Sequence, residues 1–121
     1  MISLLFNSVS TSDQNTVSMQ IEPKVIEVVS FEVYPGYSKE EAKEALTALN
    51  DIIKFYYGFI ERITANNNEG KYIDIIYWKD MESAKAAAAE LNKNEAASEI
   101  FKIIRPETIE MNHFTSFNQF E

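Results

Sequence analysis

The chain has no cysteine among its 121 residues. That excludes disulfides, thiolate nucleophiles and thiolate metal ligands together, and it suits a reducing cytoplasm. Histidine occurs once, as His113, so no zinc site that needs two imidazoles from one chain can form, and no metal is expected. Glycine and proline are scarce, three of each, which argues against a disordered or loop-rich chain. Basic residues are outnumbered, 11 Lys and Arg against 19 Asp and Glu for a formal charge of −8. The resulting field repels phosphate backbones and anionic membranes, so neither nucleic acid nor a membrane is an expected partner. The opening "MISLLFNSVS" carries only a brief apolar run with no basic residue ahead of it, too short for a signal-peptide core or a membrane span. A soluble, cytoplasmic protein is the expectation.

What is present is the composition of one ordinary globular domain, 45% hydrophobic and 25% charged. Residues 7–20 are rich in Ser, Thr, Asn and Gln without helical periodicity. We therefore expect a partly ordered arm over residues 1–22 and a single domain over residues 23–121, starting at Pro23.

Within that domain "KVIEVVSFEVY" reads as a strand, ended by the Pro35-Gly36 turn. Ser38 with Glu41 three residues later is a capping box, and Ala42, Ala45, Leu46, Leu49, Ile52, Ile53 and Tyr56 form one apolar stripe of a helix. "YYGFIERITA" and "KYIDIIYW", separated by "NNNEG", make an antiparallel hairpin. Asp80 is placed to cap a helix with Met81, Ala84, Ala88 and Leu91 on its stripe, and Asn94 to cap a short helix stopped by Arg105-Pro106. "ETIEMNHFTSF" is the last strand, with Ile109, Met111, His113, Thr115 and Phe117 on one face. The order is that of an α+β, ferredoxin-like βαββαβ fold with a four-stranded antiparallel sheet. Helices cover one face of such a sheet. The first strand is apolar on both faces, so the uncovered face calls for a partner, most economically a second copy packed sheet to sheet.

Three features resemble the dimeric α/β-barrel superfamily, and within it the antibiotic biosynthesis monooxygenase-like family. They are the strand opening "YYGFIERITA", the "YWKDMESAKAAA" strand-to-helix junction and the βαββαβ order. The likeness spans roughly Lys24 to Phe117. It implies a homodimeric α/β barrel that binds an apolar or aromatic small molecule, with cofactor-independent oxidation of an aromatic or quinol-type substrate as its activity. The alternative is a non-catalytic ligand-binding or assembly module of the same fold. The family's oxygenases use an Asn four residues before the junction Trp, the Trp itself and a later Arg. Trp78 matches the Trp, Asp74 stands where the Asn would be, and Phe101, followed by Lys102, falls near the Arg. The haem-degrading members use a Trp and a His on the helical segment, and residues 81–104 contain neither.

Asp74 and Trp78 are an even number of residues apart on one strand and therefore share a face. A partly desolvated Asp74 could act as a base toward a phenolic or enolisable substrate. The competing reading is an ion pair across the hairpin with Arg62 or a neighbouring lysine, or a side chain that points to solvent near a sheet edge. His113 is the second catalytic candidate, being of the side-chain type that ionises near neutral pH, against a role as a hydrogen-bonded core or interface residue. Trp78, Arg62 and Lys102 are the candidate ligand-binding residues: Trp78 as an aromatic platform or as core packing, Lys102 as an electrostatic aid to a substrate anion, and Arg62 as the cation across the hairpin.

Overall fold

The computed structural model describes residues 22–121; the expected arm lies outside the described residues except for Glu22. Four strands, β1 (Val25–Glu32), β2 (Phe59–Asn66), β3 (Lys71–Trp78) and β4 (Glu110–Thr115), form one antiparallel sheet in the order β2-β3-β1-β4. Helices α1 (Lys39–Ala48), α2 (Asn50–Ile53), α3 (Met81–Lys93) and α4 (Glu95–Phe101) complete the ferredoxin-like α+β layout. Among the described residues, no helix is long and apolar enough to cross a membrane.

Strand alternation sets which side chains meet the helices. The register pairs Val25 with Trp78, Glu27 with Ile76, Val29 with Asp74 and Phe31 with Tyr72, so all eight share one face. On that face two apolar clusters form. One joins Val25, Ile76 and Trp78 to Leu49, Ile53, Ala84, Ala87 and Ala97. The other joins Phe31 and Tyr72 to Ala42, Leu46 and Ile103. The opposite face carries Ile26, Val28, Ile73, Ile75 and Tyr77, all half-buried, beside the exposed Ile63 and Phe114.

The local signals behave as their chemistry requires. Ser38 Oγ accepts from the Glu41 amide at 3.0 Å while Glu41 returns a bond to the Ser38 amide at 2.8 Å, a complete capping box. Asp80 and Asn94 cap α3 and α4 through the Ser83 and Ala97 amides. Asn68 and Gly70 supply the positive φ angles of the hairpin turn, 64° and 89°.

Four details depart from the sequence reading. The first helix is interrupted at Leu49, because the Leu46 carbonyl accepts a bond from Arg62 Nη1 at 2.8 Å, and a side chain inserted into the helical ladder breaks it. The strand expected from Tyr56 starts only at Phe59, since Gly58 turns the chain at φ 85°. Ala87, not Ala88, is buried on α3, together with Ser83. The last strand begins at Glu110, preceded by a 3-10 turn at Pro106–Thr108; there the Thr108 hydroxyl donates to the Arg105 carbonyl and accepts from the Glu32 amide, and Phe117 lies fully exposed beyond the strand.

Candidate functional site

A cavity of about 360 Å³ lies between the sheet and the helices, reaching both apolar clusters. Its floor is Glu27, Val29, Phe31, Asp74, Ile76 and Trp78 from β1 and β3. Its roof comes from α1 and α2 through Leu46, Leu49 and Ile53, and from α3 and α4 through Leu91, Asn92 and Phe101. The size and the mostly apolar lining are those of a small-molecule site, which spans about 300–1,000 Å³ in general.

Asp74 reaches this cavity as part of a buried ion pair. Arg62 Nε donates to one carboxylate oxygen at 2.8 Å and Nη2 to the other at 3.0 Å, and Thr64 Oγ1 adds a bond of 3.2 Å. Arg62 Nη1 is spent on the Leu46 carbonyl and Asn50 Oδ1, each at 2.8 Å. A bidentate guanidinium–carboxylate pair of this kind is strong and directional. The cross-hairpin pairing weighed from the sequence is thus what the structure contains, and Arg62 turns to Asp74 and α1 rather than into the cavity lining.

A β-bulge delivers this pair. In β2, Phe59 faces Trp78 and Arg62 faces Ile76, with the register shifting between Phe59 and Glu61. The extra residue reverses the alternation, so Phe59 and Arg62 leave the same face despite an odd separation.

The cavity's other carboxylate was not among the sequence candidates. Glu27 is buried, and its Oε1 accepts from Trp78 Nε1 at 3.1 Å and lies 3.3 Å from His113 Nε2. Loss of hydration raises its pKa above the usual glutamate value, and the His113 ring and the Trp78 bond oppose that shift in part. The signal for Glu27 was present in "VIEVVSFEV": it sits at an even offset from Val25, Val29 and Phe31, the same argument that singled out Asp74 on β3.

Trp78 packs and lines the cavity at once, edge-on to Phe59 with centroids 6.0 Å apart. His113, on edge strand β4, keeps part of its ring exposed while touching Glu27. Lys102 is outside the cavity lining; its Nζ bonds Glu99 at 2.7 Å on the exposed side of α4. The structure therefore brings Asp74, Trp78 and, through Glu27, His113 to one place, and leaves Lys102 apart. Phe101, the residue before Lys102, does line the cavity.

A raised carboxyl pKa has a fixed consequence for stability. The fold favours the neutral acid, so this contribution is complete below the unfolded glutamate pKa and is lost as pH rises through the folded value. Glu27→Gln keeps an acceptor for the indole and removes that loss. Its stability relative to wild type should therefore increase from pH 4 to pH 8 in urea melts; a constant difference across that range would contradict a desolvated Glu27.

No protein-family model matches the chain, and no curated protein matches it in sequence. Solved structures do match. SnoaB, a cofactor-independent oxygenase from Streptomyces nogalater, superposes with TM-score 0.65 at 16% identity, over 81% of this chain and 97% of its own. A candidate antibiotic biosynthesis monooxygenase from Bordetella bronchiseptica gives 0.67 at 12% identity, over 80% and 100%. The chain shares their fold. A dimeric ferredoxin-like protein from an uncultured marine organism has the same fold, with TM-score 0.59 at 13% identity over 83% and 93%. The structural neighbours are thus antibiotic biosynthesis monooxygenase-like and dimeric ferredoxin-like proteins, as the sequence resemblance implies, and at these identities the likeness is one of fold.

Proposed function

We propose that the protein binds an apolar aromatic molecule in the cavity and oxidises it with dioxygen, using Glu27 as the base. The observation that carries this reading is a desolvated carboxylate with no guanidinium or ammonium partner in a mostly apolar cavity, bonded to an indole and an imidazole. In the enol form of an anthrone-type substrate, the hydroxyl proton passes to Glu27 and leaves an electron-rich anion. That anion transfers an electron to dioxygen, the two radicals join through a new C–O bond, and the peroxide anion so formed takes the proton back from Glu27 to become a hydroperoxide, which loses water to leave a carbonyl. One oxygen atom ends in the product and the other in water, which also carries away the two hydrogens of the oxidised carbon. His113, in contact with Glu27 and partly exposed, orients the carboxylate for both transfers. Trp78 holds Glu27 in place and offers an aromatic wall, while Asp74, paired with Arg62, shapes the floor.

Oxygen uptake with anthrone-type and quinol substrates tests this. Glu27→Gln should lower kcat by about 100-fold or more, the usual scale of a lost general base, while Asp74→Asn should retain turnover. Wild-type rates in Glu27→Gln would remove Glu27 from the role.

The alternative, a non-catalytic binding module, is favoured by one observation: Arg62 and Asp74 are spent on each other and Lys102 faces solvent. A thermal-shift screen that finds apolar binders with no oxygen uptake would support it.

The sheet face that no helix covers among the described residues supports a homodimer, with a second copy burying Ile26, Val28, Ile73 and Ile75. Ile75 sits opposite Val28 in the middle of that face. Ile75→Glu should convert the dimer to a monomer in light scattering at micromolar concentration, and a wild-type monomer would refute the pairing. The cysteine-free composition supports a reducing, cytoplasmic setting.

A further inference from the structure

The chain has 11 lysines and arginines, and none lines the cavity. Arg62 is committed to Asp74, Leu46 and Asn50. Arg105 lies between the lining residues Ile104 and Pro106 but turns its guanidinium to Glu32 and Glu107, at 3.2 and 3.0 Å. Residues 1–21, which the structure does not describe, contain no Lys, Arg or His, so that segment has no basic side chain to contribute. Two carboxylates line the cavity, and only Asp74 has a fixed counter-charge; Glu27 faces a neutral indole and the His113 ring. An anionic ligand entering here would lose its hydration, meet a like charge and find no cation to replace the lost water. A neutral hydroxyl has the opposite fate, since Glu27 offers it an acceptor in a poorly hydrated place.

We propose that the cavity selects its ligand by charge, admitting neutral aromatic hydroxyl compounds that donate a hydrogen bond to Glu27 and rejecting carboxylates of the same shape. This rests on the reading of the cavity as the ligand site and adds to it the ligand's class. It also fits the reaction above. A substrate that enters neutral and passes its proton to Glu27 becomes an anion without changing the net charge of the cavity, whereas one that arrives as an anion adds a charge that nothing balances.

Calorimetric titration of the full chain at pH 7 with 2-naphthol and 2-naphthoate, two probes of nearly the same shape, tests the proposal. Naphthol should bind at least tenfold more tightly. Met111 lines the cavity from β4 and is half exposed, so Met111→Lys can add a cation there with its melting temperature monitored as a control on folding. That variant should shrink or invert the ratio. Equal or tighter binding of naphthoate by the wild type, or an unchanged ratio in folded Met111→Lys, overturns the charge selection while leaving the cavity as a ligand site. Failure of both probes to bind the wild type overturns the charge selection and the ligand-site reading together.

Discussion

Replacing Arg62 with methionine is expected to destabilise the fold by about 3–5 kcal/mol, the usual cost of removing one partner from a buried ion pair. The size follows from what the guanidinium leaves behind. Its side chain is 3% exposed and that of Asp74 11%, so the carboxylate would stay out of water with only Thr64 Oγ1 to bond it. The Leu46 carbonyl and Asn50 would lose their partner as well. Urea unfolding followed by circular dichroism measures this directly. The double variant Arg62→Met, Asp74→Leu should recover most of the loss, because it removes the stranded charge, and such apolar replacement of buried pairs is often close to neutral. A single-variant loss under about 1 kcal/mol, the range of exposed pairs, would mean that the pair is solvated in solution.

The second large effect is expected at Gly58. Its φ of 85° lies where side chains are strained, and a Cβ placed there would sit 2.3 Å from Ser83 Oγ and 2.4 Å from Ser83 Cβ. Ser83 cannot retreat readily, since it is buried in the first turn of α3 and its amide is held by the Asp80 cap. Gly58→Ala thus combines backbone strain of about 1–3 kcal/mol with overpacking of about 1–3 kcal/mol. Gly70 separates the two: its φ is 89° but nothing lies within 4 Å, so Gly70→Ala should show the strain alone. In a Ser83→Gly background, the cost of Gly58→Ala should fall to that of Gly70→Ala. If the two alanine variants melt alike in the wild-type background, the close approach of Gly58 to α3 is relieved in solution.

Both effects belong to the frame of the site. Gly58 carries the chain from α2 into β2 while its carbonyl accepts from the Lys79 amide at 2.7 Å, which ties the start of β2 to the residue after Trp78. Arg62, three residues into the same strand, then joins β2, β3 and α1 through a single side chain. These bonds tie the cavity floor to the hairpin and to α1. The group the proposed chemistry needs, Glu27, is held separately by the indole and imidazole.

The sequence by itself determined the order of the elements and the faces of the regular strands β1 and β3. Capping residues are local chemistry, so Ser38, Asp80 and Asn94 were legible without knowing what the helices would meet. Strand alternation is equally local, and it placed Asp74 with Trp78 on one face before any fold was considered. The same rule places Glu27 on that face with Val25, Val29 and Phe31, but its role depends on Trp78 and His113, which reach it only in the paired sheet.

Only the tertiary structure decided the electrostatics. Arg62 reaches Asp74 because a bulge near Ile60 reverses the alternation of β2, and a bulge is a product of strand pairing rather than of a pattern in one strand. Glu27 is short of water because helices close over β1, while Lys102 faces away because α4 ends with that side on the surface. Faces follow from the backbone's own geometry, whereas charge, burial and partnership depend on residues distant in the chain.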